Sequence, residues 1–509
     1  MKRKSSWLTA LLVVMMLVTA CSSNGGNTQG NKASDNAGAA NNTDQGDKQE
    51  PPYELTMAYF SFGSVPKDLL LVQDEINKIT EAKINVKVKM LPISFSAWNN
   101  QINLMLTSNE KLDLFPLFGT TYANQVAKGQ LVELDELLAS KGQGITEALG
   151  PDYSKAAMIG GKSYAVPSIR DLAQSYGFLM RKDIADKNQI DLSSVKKIED
   201  LEPVLEAIKS NEPNMTALVN GVGASAFSSF VTRDSLGDDF GVLLNYGQDD
   251  LKVVNWFETD EYASNLKLMR KWYEAGYIAK DAVTIKESSA DIIKAGKGAG
   301  NLASMKPGFA HQETRNSGTE MITVEMQPPF ASTSTVSKIM WGIASNSKKP
   351  EKVMEFLNLM YTDKDIVNLF DWGIEGKHYV KVSDNVIDYP NGVESSNVGY
   401  TGLGWLFGNQ FLSYTFKGDD EKQWDDMKAF NDRAIKSKAL GFMFDSTSVK
   451  TEFAAVTNVA SQYRIALESG VIDPEKELPE FIAKLKDAGI DKIIAEKQKQ
   501  LDEWAAANK

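Results

Sequence analysis

Two neighbouring stretches decide the fold: "YELTMAYF", from Tyr53 to Phe60, and "DLLLVQDEINKITEAKINVKVKML", from Asp68 to Leu91. The first is an apolar and aromatic run of strand length. In the second, Asp68 stands as a helix N-cap before apolar residues that recur every three or four positions as far as Ile79. Apolar and polar residues then alternate from Ile84 to Met90, as they do in a strand. This order of strand, helix and strand predicts parallel pairing with a right-handed crossover, and therefore an α/β fold.

The same alternation of elements continues along a chain that is too long for one core. A helical stretch spans Trp98 to Thr107, and "KLDLFPLF" (111–118) predicts a further short strand. The chain has 509 residues, whereas single hydrophobic cores stop growing at about 250–300 residues. Two lobes are therefore expected.

The N-terminus has the pattern of an export signal. Basic residues at positions 2–4 precede fourteen uncharged residues from Trp7 to Ala20, a run shorter than a membrane-spanning helix requires. The sequence "VTAC" (18–21) resembles the lipobox of bacterial lipoproteins, and Cys21 is the only cysteine of the chain. We predict a signal peptide over 1–20 and a lipid-modified Cys21. The alternative is an ordinary signal peptide followed by a cysteine that is there by chance.

Composition also predicts a tether and excludes one class of partner. Residues 22–52 contain no Leu, Ile, Val or Phe, so that 21–52 is expected to be a disordered polar tether. The chain has 55 basic and 67 acidic residues and a formal net charge of −12. This acidity makes a nucleic-acid partner improbable, because binding to phosphates depends on lysine and arginine.

No catalytic or metal motif stands out. The two histidines, His311 and His378, lie far apart in polar contexts, and no G-x-S-x-G elbow occurs. "GGKS" (160–163) ends like a phosphate-binding loop, but Ala156 occupies the position of the first glycine. We predict no metal, no cofactor and no enzyme activity. A glycosidase stays as an alternative, since it needs only two carboxylates about 5–9.5 Å apart.

Several longer segments carry a family resemblance. They are "GGKSYAVP" (160–167), "GKGAGNLASMKPG" (296–308), "WGIASNSKKPEKVMEFLNLMYTD" (341–363) and a C-terminal region within 421–504. Their order resembles that of the family 1 extracellular solute-binding proteins, the lipid-anchored receptors of ABC importers. The last segment is similar to a C-terminal domain of unknown function found in one subgroup of these lipoproteins. In that region, Asp473 is placed as a helix cap, Pro474 as the first helical residue and Gly489 as the stop.

The resemblance implies an architecture. It is a two-lobed, periplasmic-binding-protein-like fold (type II) of the α/β class, with the ligand in the cleft between the lobes. The expected division places 53–167 and 296–340 in lobe one, and 168–295 and 341–509 in lobe two. The first three segments are expected to hold the crossings between the lobes and a strand that returns to lobe one.

Ligand residues are expected where strands end at the cleft. Aromatic rings cover the apolar faces of sugars, and polar groups bind the hydroxyls. Each tryptophan has core packing as its alternative role, and the pair of Arg170 and Asp171 has a simple surface salt bridge. The candidates are Tyr59, Phe60, Trp98, Phe118, Thr120, Arg170, Asp171, Lys306, Trp341, Trp372, Glu375 and Trp405.

The sequence thus predicts a monomeric, lipid-anchored binding protein on the outer face of a cell membrane, and a Gram-positive cell is expected. By the resemblance, it captures a carbohydrate, expected to be an oligosaccharide, and delivers it to the permease subunits of an ABC transporter. The alternatives are a peptide or an amine-bearing solute as ligand, and a sensor that reports its ligand without transport.

Overall fold

The computed structural model describes residues 50–108, 110–225, 227, 230 and 232–508. The predicted signal peptide, the lipidation at Cys21 and the tether as far as residue 49 lie outside the described residues. The predictions made for them stay predictions.

In the part of the chain that the structure describes, the strands form two five-stranded sheets and three smaller ones. In chain order the strands are β1 (Tyr53–Ser61), β2 (Val86–Ser94), β3 (Leu114–Leu117), β4 (Met158–Ile159), β5 (Lys162–Ser163), β6 (Val166–Pro167), β7 (Gln174–Arg181), β8 (Thr216–Leu218), β9 (Arg233–Asp234), β10 (Leu243–Leu244), β11 (Gly298–Met305), β12 (Met321–Ala331), β13 (Met340–Ile343), β14 (Val380–Lys381), β15 (Val386–Asp388), β16 (Thr415–Phe416) and β17 (Ile435–Lys436).

Helices occupy most of the remaining chain. They are α1 (Leu69–Ile84), α2 (Trp98–Ser108), α3 (Gly119–Ala127), α4 (Asp135–Lys141), α5 (Gln143–Lys155), α6 (Lys182–Lys187), α7 (Glu202–Asn211), α8 (Asp260–Glu274), α9 (Ser289–Lys294), α10 (Phe309–Ser317), α11 (Thr333–Val336), α12 (Pro350–Thr362), α13 (Lys364–Trp372), α14 (Gln423–Asp432), α15 (Lys450–Glu468), α16 (Pro474–Ala488) and α17 (Ile490–Ala507).

The first sheet is the core of lobe one and has the order β2-β1-β3-β13-β6. Strand β1 pairs in parallel with β2 and β3, while β13 runs antiparallel to β3 and β6. Val86, Val88 and Met90 are buried on β2 and alternate with exposed lysines. The alternation in the sequence therefore predicted the correct face of this strand.

The second sheet is the core of lobe two and has the order β17-β12-β7-β11-β8. Strand β7 is central and pairs antiparallel with β11 and β12. Gly300 on β11 allows close pairing, because a Cβ atom there would lie 2.4 Å from the backbone oxygen of Leu179. A side chain at this position would separate the two strands.

The chain passes between the sheets at three places. Residues 168–173 join β6 to β7, residues 332–339 join β12 to β13, and a later passage leads from α14 into β17. The hairpin of β4 and β5 precedes the first crossing.

The expected division of the lobes is wrong in the middle of the chain. Strands β11 and β12 lie within 296–340, which was expected to be lobe one, but they belong to the second sheet. Strand β13 begins at Met340, and it belongs to the first sheet. The segment 340–434 therefore packs largely on lobe one, and the chain returns to lobe two at β17. Strand pattern alone does not reveal which of two sheets a strand joins, because both sheets present the same kind of apolar face.

Candidate functional site

Three phenylalanines follow the carboxyl ends of three neighbouring strands. Phe62 comes directly after β1, Phe95 after β2 and Phe118 after β3. Because β1 pairs in parallel with both β2 and β3, these ends meet at one edge of the first sheet. This edge is where open α/β sheets place their ligands.

The three rings join Phe60 and Trp405 in one cluster, here called the aromatic platform. Phe60 stacks on Phe118 with ring centroids 5.3 Å apart, and it meets the edge of Phe95 at 5.4 Å. Phe62 lies 4.9 Å from Phe95 and 6.3 Å from Trp405. Such offset and edge-to-face contacts are the arrangements that aromatic pairs prefer.

The platform has a buried base and an exposed face. Phe60 is fully buried, whereas the exposed fraction is 62% for Phe62 and 47% for Phe95. Phe118 and Trp405 are half-buried. Leaving rings of this size in water forgoes roughly 1.5–3 kcal/mol of burial for each side chain. A cluster of exposed rings at the carboxyl edge of a sheet therefore indicates a binding surface.

The loop that carries Trp405 is fastened to the first crossing and to β13. The Ser168 hydroxyl and the Trp341 indole Nε1 both donate to the Leu406 carbonyl, at 2.8 and 2.7 Å. The Ile169 amide donates to the Gly408 carbonyl at 2.8 Å. Gly408 has φ 57°, and a Cβ atom there would lie 2.0 Å from the Met360 carbonyl oxygen, so that the loop requires glycine at this point.

A group of charged side chains, here called the cationic cluster, stands at the crossings. It consists of Arg170, Lys306 and Lys338 around the single carboxylate of Asp171. Arg170 Nε forms an ion pair with Asp171, and the Lys306 ammonium lies 3.4 Å from the same carboxylate. The Lys338 ammonium donates to Gln174 Oε1 at 3.2 Å.

The charges of this cluster shift the pKa values of Asp171 and Lys338. Burial alone raises the pKa of Asp171, but the charges of Arg170, Lys306 and Lys338 outweigh it and hold that pKa below its usual value. Desolvation lowers the pKa of Lys338, and Arg170 and Lys306 lower it further against the opposing effect of Asp171. The Lys338 side chain is exposed to solvent and therefore accessible to a ligand.

Two contacts place the aromatic platform beside the cationic cluster. The Arg170 guanidinium lies 5.6 Å from the centroid of the Trp405 ring. The Gly119 amide, next to Phe118, donates to the Ser337 carbonyl, next to Lys338, at 2.9 Å. A ligand lying on the rings therefore has charged and polar groups within reach.

Most of the predicted site residues fall in or under this site. Phe60, Phe118 and Trp405 form the platform, and Arg170, Asp171 and Lys306 form most of the cationic cluster. Trp98 is buried against the edge of Phe60, with ring centroids 5.5 Å apart. Tyr59 is also buried and meets the edge of Phe407. Thr120 is exposed in the first turn of α3.

Three predicted residues lie apart from the aromatic platform and the cationic cluster. Trp341 has an exposed fraction of 0%, so that its ring lies wholly inside the core in this structure. Trp372 packs in a separate small cluster, bonded to Ser413 and 5.7 Å from Phe416. Glu375 forms an exposed ion pair with Lys381. Of the glycines beside the two tryptophans, Gly342 lies inside β13 and Gly373 ends α13.

The sequence-based search missed Phe62, Phe95, Lys338 and Gln174. The signal for the first two was available, since each comes a few residues after the end of a predicted parallel strand. Lys338 and Gln174 carried no comparable signal, because their position depends on where the chain crosses between the sheets.

Two further findings concern the described residues as a whole. They include no group of three or more His, Cys, Asp or Glu side chains placed to hold a metal ion. Within the same part of the chain, no helix combines the length and the apolar character that crossing a bilayer requires. An apolar cavity of about 350 Å³ beside α4 and α5 shares no lining residue with the aromatic platform.

Comparison with known proteins shows the family. The model of the bacterial extracellular solute-binding protein family matches residues 70–366, more than half of the chain. This chain is a bacterial extracellular solute-binding protein. A domain of unknown function, DUF3502, matches residues 438–506 of the same solute-binding protein.

Relatives agree with the two-lobed α/β fold. The solute-binding protein is 29% identical over 480 residues to a carbohydrate ABC transporter substrate-binding protein of Streptococcus pneumoniae, covering 91% of this chain and 92% of that one. The crystal structure of the N-glycan transport solute binding protein NgtS from Streptococcus pneumoniae superposes with a TM-score of 0.78 at 29% identity, covering 90% of this chain and 100% of that one. NgtS in complex with Man1GlcNAc gives a TM-score of 0.69 at 28% identity, with 89% and 99% covered.

Proposed function

We propose that this protein is the substrate-binding subunit of an ABC importer and that it binds an oligosaccharide between its two sheets. The observation that carries the proposal is the aromatic platform, which exposes rings at the carboxyl edge of the first sheet beside polar and charged groups. Sugar rings have apolar faces and hydroxylated rims, and this combination matches both. The relatives named for carbohydrate or N-glycan transport support the same class of ligand.

The mechanism is non-covalent. Sugar faces stack on Phe62, Phe95 and Trp405, while Arg170 and other groups near the crossings bind hydroxyl groups. Lobe two contributes side chains at the ends of β7 and β11, where Ser304 Oγ donates to Gln174 Oε1 at 3.3 Å. A ligand that touches both lobes stabilises the closed arrangement, and the crossings absorb the change in backbone angles.

The delivery step rests on the N-terminus and on partner subunits. We propose that Cys21 carries the lipid that holds the protein at the outer face of the membrane. The polar segment before β1 then leaves the lobes free to meet the permease. ATP is hydrolysed by other subunits of the transporter, and this chain acts as a monomeric receptor without enzyme activity.

The first prediction is that oligosaccharides stabilise the fragment 53–509 against heat. A ligand at 100 times its dissociation constant adds about 2.7 kcal/mol to the free energy of unfolding. Thermal melts and intrinsic tryptophan fluorescence would measure this against panels of oligosaccharides, peptides and polyamines. A response to peptides or polyamines alone would contradict the proposal. Release of shorter sugars on incubation would instead indicate a glycosidase.

The second prediction separates the platform from other aromatic residues. Trp405→Ala is expected to weaken binding of a responding oligosaccharide by about 30-fold, equivalent to roughly 2 kcal/mol for a stacking tryptophan at the centre of a site. Phe62→Ala is expected to weaken binding with little change in melting temperature, because its ring is already exposed. Isothermal titration calorimetry measures both.

Trp372→Ala is the matched control for this series. It also removes a half-buried indole, but in the separate cluster near Ser413. We expect its dissociation constant to stay within about twofold of the parent value, since effects of distant sites are usually independent. A loss of affinity in Trp372→Ala equal to that in Trp405→Ala would show that the platform is not the ligand surface.

A further inference from the structure

The cationic cluster has a charge opposite to that of the whole chain. The protein has a formal net charge of −12, yet at the crossings Arg170, Lys306 and Lys338 surround the one carboxylate of Asp171. Among the described residues, the charged groups that act on Lys338 are this carboxylate and the other two cations. The site therefore holds an excess of two positive charges.

Of the three cations, Lys338 has its positive charge balanced least by neighbouring groups. Its ammonium has three donors, and its hydrogen bond in the described part of the chain goes to the neutral Gln174 Oε1. Asp171 is already shared by Arg170 and Lys306. Like charges brought together in a partly desolvated place repel one another. An anion placed at Lys338 would relieve this repulsion and occupy the remaining donors.

The excess charge lies directly beside the surface for sugar rings. The Arg170 guanidinium is 5.6 Å from the centroid of the Trp405 ring, and the Gly119–Ser337 hydrogen bond joins the other end of the platform to the chain just before Lys338. An anionic group attached directly to a sugar ring can reach the cations while that ring stays on the platform. A carboxylate on a ring carbon has this geometry.

We propose that the ligand of this site is an acidic oligosaccharide, in which a sugar that carries a carboxylate binds with its ring near Trp405 and its charge at Lys338 and Arg170. This inference rests on the proposed function and narrows it to one chemical class. It also disfavours an amine-bearing ligand, because a further cation would meet the three cations already present. Uronic acids and sialic acids are the sugars that carry such a carboxylate.

A matched pair of ligands tests the charge. The probes are short oligosaccharides of galacturonic, glucuronic and mannuronic acid, sialylated trisaccharides, and the carboxyl-reduced neutral form of each. For at least one pair, the acidic form is expected to bind at least about tenfold more tightly than its reduced form at low salt, and the difference is expected to shrink as salt rises. Calorimetry of the 53–509 fragment measures both affinities.

Substitutions of Lys338 test whether this residue binds the carboxylate. Lys338→Gln is expected to weaken binding of the acidic form about tenfold more than it weakens binding of the reduced form, whereas Lys338→Arg keeps the preference for the acid. Lys381→Gln is the control, because it removes an exposed lysine that pairs with Glu375 away from the site. Equal losses for both forms in Lys338→Gln would overturn the assignment of the charge to Lys338.

The outcomes separate this inference from the proposed function. If neutral oligosaccharides such as Man1GlcNAc bind and no acidic probe binds more tightly than its reduced form, the inference is overturned and the sugar-binding function stands. If no oligosaccharide of either charge binds while another class of solute does, both are overturned.

Discussion

Replacing Lys497 by methionine is expected to lower the free energy of unfolding by about 3–5 kcal/mol, the usual cost of leaving one half of a buried ion pair behind. The Lys497 side chain has an exposed fraction of 0%. Its ammonium lies 2.8 Å from Asp238 and donates to the Gly241 carbonyl at 3.0 Å. Burial lowers the pKa of Lys497 and raises that of Asp238, so that each charge depends on the other to stay ionised. Urea denaturation at neutral pH measures the change.

A second lysine of the same helix provides the control. Lys492 also forms an ion pair, 3.1 Å from Glu452, but its side chain has an exposed fraction of 72%. Lys492→Met is expected to cost no more than about 1 kcal/mol, as is usual for surface pairs. Adding Asp238→Asn to Lys497→Met should recover part of the loss, since the stranded charge is then gone. Equal losses in the two single variants would contradict the prediction.

This prediction concerns the role of the C-terminal region, which comparison describes only as a domain of unknown function. Helices α15, α16 and α17 pack on lobe two, and Arg464 on α15 pairs with Asp239 at 2.6 Å, close to the Lys497 pair. Burial raises the pKa of Asp239, but Arg233 and Arg464 together lower it to about 2. Buried charges lie on both sides of the contact between these helices and the rest of lobe two. The helices are therefore an integral part of lobe two.

Local sequence patterns predicted the secondary structure well. β1 begins at Tyr53 and α1 runs from Leu69, as expected, and α16 begins at Pro474 and ends before Gly489, which has φ 101°. Asp473 caps α16 by accepting a hydrogen bond from the Glu475 amide. These features depend on neighbours within one or two turns, so the sequence contains what is needed to predict them.

Features that depend on distant partners were predicted less well. Asp68 was expected to cap α1, but its carboxylate instead accepts from His378 Nε2 at 3.1 Å and pairs with Lys377. The His378 tautomer follows from its other nitrogen, which accepts from the Ile374 amide at 2.9 Å. The prediction that placed β11 in lobe one was wrong for the same reason. Each outcome is set by a residue or strand far along the chain.

The candidate site also combines residues that local patterns predict with residues whose position depends on distant parts of the chain. The rule that ligand residues follow the ends of parallel strands led to Phe60 and Phe118, and applied consistently it also leads to Phe62 and Phe95. Trp341 and Trp372 were candidates as well, but this structure packs Trp341 in the core and Trp372 in a separate cluster, and glycine allows close packing inside a core. At Gly342 a Cβ atom would lie 2.6 Å from a methyl group of Leu117, so that glycine next to Trp341 serves the packing of the sheet.

Trp341→Ala is expected to lower the free energy of unfolding by about 3–5 kcal/mol, the usual cost of removing a large buried aromatic side chain. The Trp341 ring is fully buried and stacks on Phe407 with centroids 5.9 Å apart. Its indole Nε1 donates to the Leu406 carbonyl at 2.7 Å, directly beside Trp405. The variant is therefore expected to weaken ligand binding as well, because the loop that carries Trp405 loses one of its attachments. Denaturant unfolding and calorimetry give the two effects.

Trp341→Phe separates packing from the hydrogen bond. It keeps an aromatic ring next to Phe407 but removes the indole donor, so that the expected cost is about 1–3 kcal/mol for the lost bond and the smaller ring. The Leu406 carbonyl still accepts from the Ser168 hydroxyl, which limits the damage to the loop. A ligand affinity that falls in Trp341→Ala without any loss of stability would instead mean that the ring meets the ligand directly. That result would require a conformation in which β13 exposes its tryptophan to the cleft.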